Sequence, residues 1–426
     1  MASLVTNSLL LTTYHAFAIV EVVKDFPETA RSRGGYGLRP NVGVRKVNLS
    51  QVLTLVHAFG RLTRSDIGLK TGLNRSTVLD LVAELQGRNL VTQKVPSGAG
   101  EVGRPSMEVI ASDNVVSFVV IPRLGELTVG TVGLGGRIFS QRRVAMPKTA
   151  TPIEYARKAG AIIAQFRKDL KDGTKIVGVG VAAPGQVRVA TGEIRWAPAL
   201  GWRDVRFDQM LADETGLPIR LDNDASLACA AEWSFGAGRG YDNMLLLIGV
   251  AGGLGGGFVA NGEVVRGNLG FAGELGHMRI SDDEVLDYSG IPGTLEALVR
   301  RSDLEEALGQ EDLDDETLFA SLRKAAENKE VDSLLERQTH YLGRAIGLLL
   351  VAMNPRIVVL SGFLSILLEL RRGELMTAIT SQTVSSSLEG VEIQAGSLGP
   401  NLLLVGTAEI IFKDLLLDPL GYELFE

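Results

Sequence analysis

The sequence predicts an α/β protein with a small helical head in front of a larger body of alternating strands and helices. Three observations predict it. From residue 115 onward, apolar runs such as residues 115–120 and 176–181 alternate with a helical stretch at residues 152–170 and with glycine-bearing turns. Ahead of them, residues 49–85 carry apolar side chains at helical spacing, broken at Gly60 and Gly72. A chain of 426 residues that is 45% apolar holds more than one ordinary domain, and 50 glycines point to many turns and close backbone approaches.

Residues 1–44 read as an extension and linker. An apolar stretch at residues 2–23 is interrupted by Thr12, Thr13, His15 and Glu21. Its first positive charge is Lys24 and no small-residue cleavage site follows, so neither a signal peptide nor a membrane span is expected and the chain reads as cytoplasmic. Residues 31–40, with Gly34, Gly35, Gly37 and Pro40, have linker composition. The single cysteine, Cys229, excludes an intramolecular disulfide and a multi-cysteine zinc site.

Residues 45–111 form the head. Leu49, Val52, Leu53, Val56 and Phe59 predict a helix that Gly60 ends. Thr63 caps a second, short helix, with Asp66 favourable in its first turn, and Gly72 stops it. Leu73 is the expected buried turn residue. Asn74 then caps a third helix bearing Val78, Leu81, Val82 and Leu85. Two short strands, residues 90–94 and 107–110, follow around a glycine-rich loop, which completes a winged helix-turn-helix. Nine basic side chains against five acidic ones give residues 45–110 a local charge of +4 in a chain whose net charge is −7. A basic module in an acidic protein is the footprint of DNA binding. Arg64, Arg75, Ser76, Thr77 and the loop-tip Arg104 are the candidate contacts, as polar groups suited to phosphates and groove edges.

The body runs over residues 112–426, in lobes of about 112–223 and 224–400, with a C-terminal helix at 401–426 returning to the first lobe. Strands at residues 115–120, 127–134 and 137–144 make a meander with a turn at Gly135-Gly136; a helix and the strand 176–181 follow. Strand signals recur at residues 244–248 and 258–260, after Asp224. The run Arg266-Gly267-Asn268-Leu269-Gly270-Phe271-Ala272-Gly273-Glu274-Leu275-Gly276-His277 holds a carboxylate and an imidazole three residues apart among small residues. Such a pair can exchange hydrogen bonds with vicinal hydroxyls. Leu221-Asp222-Asn223-Asp224 adds an amide and carboxylates, Thr294-Leu295-Glu296 another carboxylate, and residues 252–257 read as a glycine loop.

These motifs, in this order over about 300 residues, resemble the sugar site of the ROK family (repressors, open reading frames and kinases). The resemblance implies a two-lobed, actin-like ATPase (ribonuclease H-like) fold. It also implies that Asn223, Asp224, Glu274, His277 and Glu296 bond the sugar hydroxyls. The family's kinases carry Asp-Ile-Gly-Gly-Thr where this chain has Ile121-Pro122-Arg123-Leu124-Gly125. Ile121 cannot serve a metal ion and Pro122 has no N–H, so the nucleotide half reads as disabled and Asp224 as a vestigial base with no phosphoryl donor. Many members also place three thiolates beside the histidine in a zinc site; here the matching positions are Asp287, Ser289 and Thr294, so neither metal nor cofactor is expected.

The reading that follows is a sugar-responsive, DNA-binding transcriptional regulator, a homodimer or dimer of dimers on double-stranded operator DNA. An active ATP-dependent sugar kinase carrying a DNA head is the alternative, and a scaffold for a partner protein a third.

Overall fold

The computed structural model describes residues 40–95, 106–250 and 252–426. The chain divides into two units. One contains everything up to Ala182, together with Arg206–Asp222 and Leu404–Glu426; the other contains Ala183–Val205 and Asn223–Leu403.

The head belongs to the first unit. Helix α1 (Pro40–Phe59) buries Leu49, Val52, Leu53 and Val56, and Gly60 ends it with φ +70°, a conformation that costs glycine little. Strand β1 (Arg61–Thr63) leads into α2 (Arg64–Thr71), where Thr63 and Asp66 form a reciprocal capping box. Gly72, again left-handed, makes the turn; Leu73, expected to be buried, is half-buried. The Asn74 side chain accepts the Thr77 N–H to start α3 (Arg75–Gly87), whose Val78, Leu81, Val82 and Leu85 are buried. Strands β2 (Val91–Lys94) and β3 (Glu108–Ala111) complete a three-stranded sheet in the order β1-β3-β2. The sequence reading missed β1, whose pairing partners Glu108–Ile110 lie some 45 residues along.

The first unit continues with the meander β4 (Val115–Arg123), β5 (Glu126–Gly133) and β6 (Ile138–Ala145), then α4 (Pro152–Asp169) and β7 (Lys175–Ala183). Strand β7 pairs in parallel with β4. In the second unit β8 (Gln186–Arg188), β9 (Glu193–Ala197) and β10 (Trp202–Val205) form a small antiparallel sheet. Helix α5 (Phe207–Thr215) and β11 (Ile219–Asn223) return to the first unit, giving the sheet order β11-β7-β4-β5-β6.

Helix α6 (Asp224–Ser234) opens the rest of the second unit. Its sheet contains β12 (Met244–Val250), β13 (Gly253–Ala260) and the short β14 (Glu263–Val264). Here the structure corrects the expected glycine loop at residues 252–257: Gly253–Gly257 lie in β13, paired with β12. Gly255 and Gly257 are small because α6 presses on the strand. A Cβ on Gly255 would stand 2.6 Å from the Ala225 Cβ, and one on Gly257 2.8 Å from the Cys229 Cβ. Helices α7 (Leu295–Leu298), α8 (Arg301–Ala307), α9 (Asp315–Lys324) and the long α10 (Lys329–Met353) follow, then β15 (Ile357–Gly362) and α11 (Phe363–Ser381). Leu342, Ile346 and Leu350 of α10 share a core with Phe363 and Leu367 of α11 and Leu245 and Leu247 of β12. After the single turn α12 (Ser385–Leu388) and β16 (Glu392–Ala395), the sheet order is β14-β13-β12-β15-β16.

Helix α13 (Leu402–Leu417) carries the chain back to the first unit, where Phe425 pairs with Ile176. The same helix anchors the head. His57 of α1 is buried, with Nε2 at 2.9 and 3.0 Å from the two Glu409 carboxylate oxygens, while its Nδ1 accepts the Gly135 N–H at 2.9 Å. No helix among the described residues is long and apolar enough to cross a membrane.

Candidate functional site

The residues predicted to bind a sugar fall together in the second unit. Asn223 is the N-cap of α6: its Oδ1 accepts the Ser226 N–H at 2.9 Å and its Nδ2 donates to the Gly185 carbonyl at 2.8 Å. Its first duty is therefore to fix the start of the helix. Asp224 occupies the first turn, where the helix dipole favours a carboxylate, and its Oδ1 accepts the Ala225 N–H at 2.8 Å.

Glu274 and His277 bracket a single 3₁₀ turn, Leu275–His277. The loop can lie this close to β13 because a Cβ on Gly276 would collide with the Leu254 carbonyl at 2.2 Å. Burial pushes the Glu274 carboxyl above its ordinary range; the His277 imidazole opposes this and Asp224 adds to it. The His277 Nδ1 lies 2.8 Å from Asp287 Oδ2, leaving Nε2 facing Glu274 Oε2 at 3.9 Å and the Tyr288 hydroxyl at 3.5 Å.

Asp287 is the hub of the following loop. Its buried side chain accepts the Ser289 N–H at 2.8 Å and the Ile291 N–H at 3.0 Å through Oδ1. Oδ2 accepts the Thr294 hydroxyl at 3.1 Å as well as His277. Burial alone would raise this carboxyl, but the bonds from His277, Ile291 and Thr294 hold it below the ordinary range. At the three positions where thiolates would hold zinc stand a saturated carboxylate and two hydroxyls, a donor set that does not suit the metal. The carboxylate organises the loop by hydrogen bonds instead.

Glu296, in α7, accepts the Leu254 N–H at 2.9 Å through Oε2, whereas its buried Oε1 has no hydrogen-bond partner among the described residues. Burial, reinforced by Asp287 and Glu274 and opposed by the Leu254 N–H and His277, pushes its carboxyl up to about 7. An unpartnered buried oxygen is costly, and a ligand hydroxyl aimed at it would be strongly held. Sequence reasoning had not singled out Tyr288, because nothing in its neighbours' residue types marks it.

In the head, Arg75 and Ser76 are exposed at the start of α3 and Thr77 is half-buried. Ser76 donates to Asn74 Oδ1 at 2.7 Å, so its hydroxyl is part of the cap. Arg64 is held against the wing strand, its Nε donating to Gln93 Oε1 at 2.7 Å. Arg104 lies outside the described residues. The segment 121–125 forms the β4–β5 hairpin, with Pro122 opposite Leu127 and the Arg123 carbonyl accepting the Tyr155 hydroxyl at 2.7 Å.

Residues 126–413 match the ROK family, and the chain belongs to it. The body has that family's actin-like sugar-kinase fold, preceded by a winged helix-turn-helix. A xylose repressor of Caldicellulosiruptor bescii is 24% identical, aligned over 88% of this chain and 98% of its own length. A glucokinase of Halalkalibacterium halodurans is 30% identical over 55% of this chain and 76% of its own. Among solved structures, a ROK family transcriptional regulator homologous to the E. coli MLC protein superposes with TM-score 0.70 at 20% identity, over 88% of this chain and 98% of that one.

Proposed function

We propose that the protein is a sugar-responsive transcriptional repressor. Residues 45–111 form its DNA-binding domain after an extension at 1–44, and the ROK body at 112–426 serves as its sugar sensor. The observation that carries this is the extent of the likeness: the xylose repressor aligns over 88% of the chain, whereas the glucokinase aligns over 55%. Double-stranded DNA is contacted by Arg64, Arg75, Ser76, Thr77 and Arg104, with Arg75 the most available of the described set. A monosaccharide is bonded by Asp224, Glu274, His277 and Glu296, with Asn223 holding the helix that presents Asp224. One winged helix reads one half-site, so the working form is a homodimer or a dimer of dimers.

The chain is not a kinase on this reading. Phosphoryl transfer depends on positioning and neutralising the phosphates, and the hairpin at Ile121-Pro122-Arg123 offers a proline where a backbone donor is needed. Two measurements test the function together. Operator fragments recovered by selection with the full chain should show sugar-dependent binding, and a coupled ATP assay should show no sugar-dependent turnover. Turnover on the order of 1–100 per second would establish the kinase reading instead.

A further inference from the structure

Tyr288 stands between two residues of the Asp287 hub. The Asp287 N–H donates to the Ile291 carbonyl and the Gly290 N–H to the Asp287 carbonyl, both at 3.0 Å, so residues 287–291 close into a turn pinned from within by the Asp287 side chain. This turn carries the phenol to 3.5 Å from His277 Nε2. The two rings meet edge to face, with centroids 5.4 Å apart and planes at 78°. Half of the residue remains exposed, which leaves a ring surface available to a ligand.

The site around it consists mainly of acceptors. Asn223 spends its amide hydrogens on Gly185 and Asp224. With the Asp287 carboxyl ionised, the His277 Nδ1–H donates to it. Above pH of about 7 Glu296 is an ionised acceptor too. Every sugar hydroxyl both donates and accepts, and burying one against acceptors alone leaves its lone pairs unsatisfied. The phenol meets that need: burial, and then Glu296, Glu274, Asp224 and Asp287, drive its acidity down so that its proton stays on.

We infer that Tyr288 is the hydrogen-bond donor of the sugar site, giving its hydroxyl to a sugar oxygen beside His277 and laying its exposed ring along the sugar's C–H face. This rests on the sugar-site reading above. It also names the ligand class, an uncharged monosaccharide, since a phosphate ester would bring negative charge among Asp224, Glu274 and Glu296.

Calorimetric titration of the full-length protein at pH 8 tests it, with D-xylose, D-glucose, N-acetyl-D-glucosamine and the phosphate esters of the last two as probes. Wild type should bind a neutral sugar and bind no ester more tightly. Tyr288→Phe should bind that sugar about tenfold more weakly while melting at the wild-type temperature without sugar. In a monodeoxy series of the same sugar, one position should erase the difference between wild type and Tyr288→Phe. If Tyr288→Phe binds within twofold of wild type while Asp224→Asn has lost binding, the role of Tyr288 is overturned and the site stands. If an ester binds best, the ligand class is overturned. If Asp224→Asn and Glu274→Ala both bind as wild type, or wild type binds none of the probes, the site and the inference fall together.

Discussion

Among the described residues, Glu296 keeps a carboxyl group inside the protein with only one of its two oxygens bonded, and this makes stability depend on pH. Its folded value of about 7 lies above the ordinary 4.5, so between those values the folded chain holds more protons than the unfolded one. Stability from this group is fully present below about 4.5, falls as pH rises through about 7, and is then lost, by on the order of 2–3 kcal/mol. Glu296→Gln, which cannot ionise, should flatten the fall in melting temperature between pH 5 and pH 8; an unchanged slope would show that Glu296 titrates normally. The residue types of the site were readable because carboxylates, an amide and an imidazole recur among glycines at Asn223, Asp224, Glu274, His277 and Glu296. The bonds that set their chemistry were less readable. Asp287 reaches His277 ten residues back, and Leu254 reaches Glu296 across 42 residues, so both depend on how loops close.

Strand β13 shows the same division among the elements. Its glycines stood out in the sequence, yet the composition suits a loop as well as a strand under load. Only the close packing of α6 on Gly255 and Gly257, of Glu296 on Gly253 and of Leu275 on Gly256 identifies their task. Gly255→Ala should therefore destabilise the protein by about 1–3 kcal/mol through overpacking against Ala225, and the loss should persist without any sugar. Chemical denaturation of wild type and variant would measure it, and a neutral result would mean that α6 can retreat. The helix-turn-helix was legible in detail, because Thr63, Asp66 and Asn74 cap within three residues of their own positions. At its exposed edge, Arg75→Ala should weaken operator binding by roughly 1–3 kcal/mol if the side chain reads a base, and by less if it touches phosphate, with no change in melting temperature. Arg104→Ala should behave alike. Unchanged affinity and salt dependence in both variants would move the DNA surface elsewhere on the chain.

For the molecule as a whole, the head groups with the first unit while Asp224, Glu274, His277 and Glu296 lie in the second. A sugar alters operator affinity only by its differential affinity for two states of the whole chain. Glu274→Ala should accordingly keep its sugar-free operator affinity and lose the response at ordinary sugar concentrations. Removing this half-buried acceptor weakens sugar binding by roughly 1–3 kcal/mol, about tenfold or more. Titrating operator binding with and without sugar separates the outcomes, and a variant that responds at the wild-type concentration would place the effector at another site.

The amino-acid sequence by itself determined the helix caps, the strand meander, the basic head and the set of polar residues of the candidate site. Each of these is written in local spacing, within reach of one turn or one hairpin. The tertiary structure alone decided that the Asp287 carboxylate organises the loop around His277, that Tyr288 points its hydroxyl at the imidazole, and that His57 ties the head to Glu409, 352 residues away. Those outcomes depend on which donor meets which acceptor once the chain has closed. Desolvation makes the buried pairings compulsory, and no local pattern reveals the partner.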